Sequence, residues 1–388
     1  MPLRRALLAF LLLLPASAGA VSAEMNLQLQ TALDLLYSMK FSEADAAVRQ
    51  AMAREPEHPY GHFGLAVASM IHYVYGSEQA DPALLKEFER RTDAAIAKSA
   101  AWVKAHPDDP EGYMALGAAY GVSARLLTVR HQWLTGYWHG RKAVGHLRKA
   151  LALDPSMADP CLGLGMYDYY TDTYPRVVRV LAKLVLRGDR LKGVEELKRA
   201  AQGGVFSQVV AKMILTEIYL EDSYGLRDPA EAARLSTEVR RRYPDSAMVQ
   251  AIDFAAQFEA GRYRELMADL ETFVQRARAG AYDQVQLSKA LVGQATTLWA
   301  LGRRQEAYDA FREASEIRVD GKNTRWGVWA MIRAANLLDV MGRRGDALSL
   351  YKQAAAEPDL WDLRQFAQAG LTRRWTQSHP GHISPFGA

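Results

Sequence analysis

The chain has 388 residues, 49% of them hydrophobic and 24% charged, and its 48 Lys and Arg residues against 44 Asp and Glu residues leave a formal net charge of +4. So small an imbalance, interleaved along the sequence, lacks the electrostatic footprint of a nucleic-acid binder. A single cysteine, Cys161, excludes an intramolecular disulfide, a thiolate zinc cluster and a C-x-x-C-H haem attachment, and its place on an apolar helical face marks a buried structural thiol.

The first residues, M-P-L-R-R, are short and basic; Ala6 to Leu14 are apolar, and A-G-A closes at Ala20. This is the order of a secretory signal peptide over residues 1–20, with a second small-x-small site ending at Ala23 that leaves cleavage after 23 open. The apolar run is shorter than the roughly 20 residues of a spanning helix, which sets an uncleaved anchor as the alternative. No cysteine stands directly after the run, so lipid attachment in the manner of bacterial lipoproteins is not supported, and no other stretch is apolar and long enough to cross a bilayer. Removing Arg4 and Arg5 with the leader reduces the balance to 46 − 44 = +2.

Beyond the leader, Ala, Leu, Glu, Arg and Lys dominate, Val, Ile and Thr are sparse, and no run alternates with period two, so the mature chain is expected to be helical throughout. A first helical pair runs from Met25 to Met39, turns at Lys40-Phe41 and returns through Ala44, Val48 and Ala51 to Pro56. A second spans Pro59 to Pro107, with Asp81-Pro82 opening its second helix. A third opens D-P-E-G-Y-M-A-L-G-A-A-Y from Asp109, setting Tyr113, Leu116, Gly117 and Tyr120 on one face, and closes through Ala143, Leu147 and Ala150 at Asp154-Pro155. Gly117 and Ala143 are small where two helix axes would cross, so the backbones can approach. The prolines that close these units lie 107 − 56 = 51 and 155 − 107 = 48 residues apart, and the surplus falls at residues 71–86 and 122–137, which predicts helices about two turns longer than a minimal pair.

The fourth unit begins D-P-C-L-G-L-G-M-Y-D-Y-Y at Asp159 and carries an extra amphipathic segment, Pro175 to Leu186, before its second helix from Gly188 to Ala200, capped by Asp189. A fifth covers Phe206 to Tyr243. Three more have turn glycines at 261, 302 and 342, spaced 302 − 261 = 41 and 342 − 302 = 40 residues apart. Their return helices repeat one face, Ala307, Phe311, Ala314 and then Ala347, Tyr351, Ala354. A last amphipathic helix, about Leu360 to Gln377, covers the open end of the stack, and residues 378–388 lack periodicity and are expected to be disordered.

A first helix with a bulky–Leu–Gly–Tyr face, a second with an Ala–bulky–Ala face and a closing proline resemble the tetratricopeptide repeat (TPR) of about 34 residues. The resemblance implies an all-α, TPR-like right-handed superhelical solenoid of about eight helical pairs with a C-terminal capping helix, one domain over residues 25–377. At a second level, residues 58–221 resemble an uncharacterised family of secreted bacterial TPR proteins. The residues that carry it are H-P-Y-G-H-F-G-L-A, G-A-A-Y-G-V-S-A-R-L-L, the run from Trp133 to Lys142, Y-D-Y-Y-T-D-T-Y-P-R and G-D-R-L-K-G. The last two pieces are fainter matches to a eukaryotic TPR group that includes a yeast inclusion-body clearance protein. These likenesses imply helical repeats and a binding role, and bring no ligand, cofactor or reaction.

The densest unusual patch is Arg125 to Lys142 together with Tyr167 to Arg176. Counting back from Ala143 at helical spacing places Gly140, Gly136 and Trp133 in the intra-repeat core, with Trp138 about 140° away. TPR solenoids present the first helix of each pair on their concave side, so the candidate partner-binding residues are Tyr120, Arg125, Arg130, Trp138, Arg141, Tyr167, Asp168 and Tyr170. Aromatic rings with arginines suit a peptide carboxylate or an acidic glycan, and helix-to-helix packing is the alternative role for the same residues. Histidines 58 and 62 are divided by a helix start at Pro59, and His139 and His146 stand roughly 10 Å apart along a helix, so no metal site is expected. No G-x-S-x-G, Walker or H-E-x-x-H motif occurs, and G-L-G-M-Y lacks a strand before it, so neither catalysis nor a cofactor is expected. The expected function is an exported scaffold that binds a protein or peptide in the bacterial envelope, with no nucleic acid and no membrane span after leader removal. The alternative is a small-molecule or glycan pocket in the third and fourth units, lined by Trp138, Tyr167 and Tyr170. Peripheral membrane association is a third option.

Overall fold

Helix formers with an apolar stripe build pairs, and each pair buries its stripe only against the next. The computed structural model describes residues 21–130, 132–173, 188–359 and 361–383. The leader, the extra segment at 175–186 and the last five residues lie outside the described residues. Eight antiparallel pairs follow one another: α1 (Ala23–Tyr37) with α2 (Phe41–Arg54), α3 (Pro59–Ile71) with α4 (Pro82–Ala105), α5 (Pro110–Val129) with α6 (Trp133–Leu153), and α7 (Pro160–Thr173) with α8 (Arg190–Gly203). Then come α9 (Gln208–Glu221) with α10 (Pro229–Arg242), α11 (Ala247–Glu259) with α12 (Tyr263–Arg278), α13 (Gln284–Ala300) with α14 (Arg304–Glu316), and α15 (Arg325–Val340) with α16 (Arg344–Ala356). A short α17 (Leu363–Thr372) caps the stack.

The surplus length of the second and third units is distributed as local chemistry dictates. α3 ends in a π-helical turn at His72–Gly76, and α4 extends to 24 residues. Asp81 caps α4 by accepting from the amides of Ala83 (2.7 Å) and Leu84 (3.3 Å). Asp189 caps α8 in the same way, through Leu191 (3.0 Å) and Lys192 (3.1 Å). In the sixth, seventh and eighth units the connecting glycines 261, 302 and 342 all have φ between 74° and 82°, and each chain end folds back in a double hydrogen bond such as Gly302 N to Trp299 O and Arg303 N to Leu298 O. The first unit makes the same turn on Met39 at φ 60°.

Two elements depart from the expectation. A small hairpin, β1 (Arg318–Val319) paired antiparallel with β2 (Lys322–Asn323), joins α14 to α15. Asp320 and Gly321 both have positive φ, the Asp-Gly signature of a tight hairpin turn. The capping helix also stops at Thr372 rather than near 377, because Arg374 and Trp375 leave the helical path to bond Asp339.

Glycines set the closest helix crossings. A Cβ at Gly117 would lie 2.7 Å from Leu147 Cγ and 3.0 Å from the Leu147 amide, so α5 and α6 meet there as the spacing predicts. Between α7 and α8 the contact is backbone on backbone: a Cβ at Gly165 would stand 2.6 Å from Gly193 O, and one at Gly193 would stand 2.7 Å from both Gly165 O and Tyr169 N. Neither obstacle can rotate away. Gly193→Ala is therefore expected to force the pair apart at a cost of about 1–3 kcal/mol, read as a lower urea midpoint at unchanged m; an unchanged midpoint would show that the crossing is loose.

The superhelix returns on itself. At the turn of the first unit, Asp34 accepts from Arg242 Nη2 (2.9 Å) and from the Tyr243 hydroxyl, and Tyr37 packs on Tyr243 with ring centroids 5.4 Å apart. Leu36, Tyr37 and Ile71 share one buried cluster with Val209, Val239, Tyr243 and Met248. After α3, Glu78 pairs with Lys289 of α13, and the Gln79 carbonyl accepts from Arg325 Nη2 at 2.9 Å. The superhelix is thus closed by contacts between the first two and last four units.

Candidate functional site

α15 is buried along nearly its whole length, yet it carries Arg333, Asn336 and Asp339 at intervals of three. A polar stripe in a buried helix must find partners inside the protein. Asn336 accepts from the Tyr351 hydroxyl at 2.5 Å, and Asp339 accepts two bonds from Arg344 (2.8 and 3.1 Å) and one from the Trp375 amide (3.0 Å). Arg333 has a different surrounding. Its guanidinium lies 5.2, 5.3 and 5.8 Å from the ring centroids of Trp299, Trp329 and Trp375, and it donates to the carbonyl of Pro380.

Pro380 belongs to the segment expected to be disordered. Residues 378–383 instead lie against the first helices of the sixth, seventh and eighth units. Trp299 Nε1 donates to Ser378 O (2.8 Å), and Trp329 Nε1 donates to Ile383 O (2.9 Å). Ile383 is 7% exposed and joins the C-terminal core. The Tyr263 hydroxyl meets His379 Nε2 at 3.2 Å, and His382 Nδ1 lies 2.6 Å from Glu259 Oε1. The anchors are backbone carbonyls held by side-chain donors. Such a seat needs no periodicity in the seated chain, so periodicity cannot announce it.

A second group of polar and aromatic side chains lies in the preceding units. The Tyr170 hydroxyl donates to Glu217 Oε1 at 3.1 Å, and Arg125 feels the charge of Glu217 beside Tyr75 and Tyr170. Arg125 itself is exposed to solvent. A cavity of about 240 Å³ opens between α7 and α9, lined by Tyr169, Tyr170, Glu217, Glu221 and Tyr224. Burial, with Glu217 and Glu259 adding repulsion against the opposing pull of His382, raises the Glu221 carboxyl to about 7.

Of the residues singled out in the sequence, only Arg125 and Tyr170 meet in this group. Asp168, 3% exposed, is a buried partner of Lys192 Nζ at 3.0 Å, which fixes α7 to α8. Tyr120 is wedged between α5 and α6, edge-on to His139 (5.3 Å) and stacked on His146 (5.8 Å) under Lys142. Arg130 pairs with Glu89 of α4, and Tyr167 packs with Val144, Leu147 and Leu164. Arg141 bonds the Tyr137 hydroxyl at 3.2 Å on the outer side of α6, where Trp138 is 54% exposed beside Tyr137. Trp133 is not in the intra-repeat core; it stands at the first position of α6 and is 55% exposed. The cavity that Tyr170 lines contains neither Trp138 nor Tyr167. Among the described residues no three His, Cys, Asp or Glu side chains are placed to hold a metal ion, and no helix is long and apolar enough to cross a membrane.

The seat of the C-terminal segment should respond to pH. His382 has its pKa raised chiefly by the hydrogen bond to Glu259, against burial and the nearby Arg227, with Glu221 adding attraction. A raised imidazole stabilises the seated state fully below the unperturbed value of about 6.5, and that contribution is lost as pH rises through the raised value. Tryptic cleavage after Arg373 and Arg374 is expected to be several-fold slower at pH 6 than at pH 8.5, after correction for the protease's own pH dependence. His382→Gln should flatten the difference; an unchanged ratio would dismiss His382 as the sensor.

Among the described residues, eight successive helical pairs, with glycine or alanine at the crossings and a capping helix, decide the architecture. The fold is a TPR-like solenoid. No family model and no curated protein matches the chain. Among solved structures it is similar to yeast Tom70, at 11% identity over 87% of this chain and 86% of that one, with a TM-score of 0.41. It is similar to a tetratricopeptide repeat protein from Parabacteroides merdae, at 13% identity over 76% and 94% of the two chains, TM-score 0.32. It is also similar to the human IFIT1 dimer with m7Gppp-AAAA, at 12% identity over 87% and 82%, TM-score 0.43. Identities this low speak to fold class alone. The TPR pairs of this chain differ from a minimal repeat in their lengthened second and third units and in their closure on themselves.

Proposed function

We propose that this protein is an exported scaffold that binds a protein partner through a peptide held on the inner face of its last three TPR-like units. The observation that supports it is the convergence of Trp299, Trp329 and Arg333 on three backbone carbonyls of a non-helical segment. Donors aimed at main-chain oxygens hold a peptide by its backbone, and neighbouring side-chain contacts then select its sequence. The basic, apolar and A-x-A order of residues 1–20 supports export, and the resemblance to secreted bacterial TPR proteins supports an envelope setting. A second reading rests on the 240 Å³ cavity between α7 and α9. Its tyrosines and two glutamates would suit a small organic cation, in the fourth and fifth units rather than the third and fourth.

The test is crosslinking and capture from the native envelope fraction by the mature protein and by its Glu259→Lys variant, with crosslinked sites mapped. A partner held by the parent at α11, α13 and α15 and lost by the folded variant is the expected result. Capture through any other surface, unaffected by the substitution, would reject the groove.

A further inference from the structure

Resting on that reading, we infer that residues 378–383 are a tethered stand-in for the partner, and that the groove selects a peptide with a cationic side chain followed immediately by an aliphatic one. The stand-in writes out the chemistry of each subsite. His382 points its imidazole at Glu259, which is itself braced by Arg227 at 2.8 Å, and Glu221 lies within electrostatic reach. The next residue, Ile383, enters the apolar core near Gly293, where an ideal Cβ would stand 3.2 Å from Leu270 Cδ2 and 4.0 Å from Ile383 Cδ1.

Between these anchors the segment is held by its backbone. Ser378, Pro380 and Ile383 offer carbonyls, and the intervening turn is made by Gly381 at φ 79° with its amide on His379 Nδ1 (3.0 Å). The link from α17 to the seat is short, Arg373 to Gln377, and Trp375 is fixed by Asp339 and Arg333. The tether therefore holds the stand-in at high effective concentration, and a free peptide must outcompete an intramolecular rival. A partner peptide replaces the stand-in rather than joining it, because Ile383 and an incoming aliphatic residue need the same volume.

The experiment uses the full mature chain and a fluorescein-labelled peptide of residues 374–383, RWTQSHPGHI, capped as an amide, read by fluorescence anisotropy. In the opened chain, His382→Ala/Ile383→Asp, the two subsites are vacated while the helices are untouched; circular dichroism and melting establish that it folds. The opened chain is expected to bind the peptide at least ten-fold more tightly than the parent. Adding Glu259→Gln to the opened chain should weaken binding several-fold, and a peptide with Ile replaced by Asp should lose it. A folded opened chain that binds no better than the parent would overturn the inference. So would a parent that elutes as a dimer and an opened chain that elutes as a monomer, since the occupant would then be a second copy. Peptide binding without any captured partner would leave the stand-in intact and reject the scaffold reading; capture at the groove without peptide selectivity would do the reverse.

Discussion

Asp339→Ala is expected to lower the stability of the C-terminal units by about 3–5 kcal/mol, the scale for removing one member of a buried ion pair. Asp339 is 0% exposed and faces three donors: Arg344 Nη1, which reaches both carboxylate oxygens, the Trp375 amide and, at 3.3 Å, the Tyr351 hydroxyl that it shares with Asn336. Its removal leaves the Arg344 guanidinium with only the carbonyls of Gly370 and Leu371. The same carboxylate places Trp375, so α15, α16, α17 and the entry to the C-terminal segment lose a common anchor. Asp339→Asn retains the shape and one acceptor and should cost about half as much. Urea unfolding followed by far-ultraviolet circular dichroism measures both, and a loss below about 1 kcal/mol for the alanine variant would refute the anchor.

Lys289→Met is expected to cost about 2–3 kcal/mol, although Met keeps the volume and helix propensity of the position. The ammonium pairs with Glu78, both side chains are 12% exposed, and it lies 5.6 Å from the Trp326 ring centroid. Loss of the cation strands a carboxylate in a poorly solvated contact, softened only by Arg325 nearby. The double variant Glu78→Gln/Lys289→Met should recover most of the loss, because the stranded charge is gone, and a double-mutant cycle would quantify the coupling. Additive losses would show that the two ends of the chain touch without depending on each other.

The architecture was legible because its determinants are local. The positive-φ glycines 261, 302 and 342, the capping Asp81 and Asp189, and the small Gly117 at a helix crossing each act within a turn or a pair. The Asp320-Gly321 hairpin was equally local and was missed only because it interrupts an otherwise helical pattern. The site was not legible in this way. Composition singles out Arg125 and Tyr170 together with Asp168 and Tyr120, yet the last two face neighbouring helices, a distinction that depends on where the next unit packs. A signal did exist for the groove: R-W-G-V-W-A-M-I-R-A-A-N-L-L-D sets Trp326, Trp329 and Arg333 on adjoining rows and continues with Asn336 and Asp339. Polar groups in a helix otherwise fit for burial ask for a partner, and here that partner is 47 residues away in sequence, at Pro380.

The returning superhelix has a consequence for the order in which the molecule can be made. In an open solenoid each repeat needs only its neighbour, so the growing chain can consolidate as it is synthesised. Here Tyr37 waits for Tyr243, and Glu78 for Lys289, a partner 211 residues further along. At roughly 5–20 residues per second that is a delay on the order of 10–40 s, during which the apolar edge of the first two units has nothing to cover it. The first two units are therefore the part of the molecule that must stay protected longest while the rest of the chain is made.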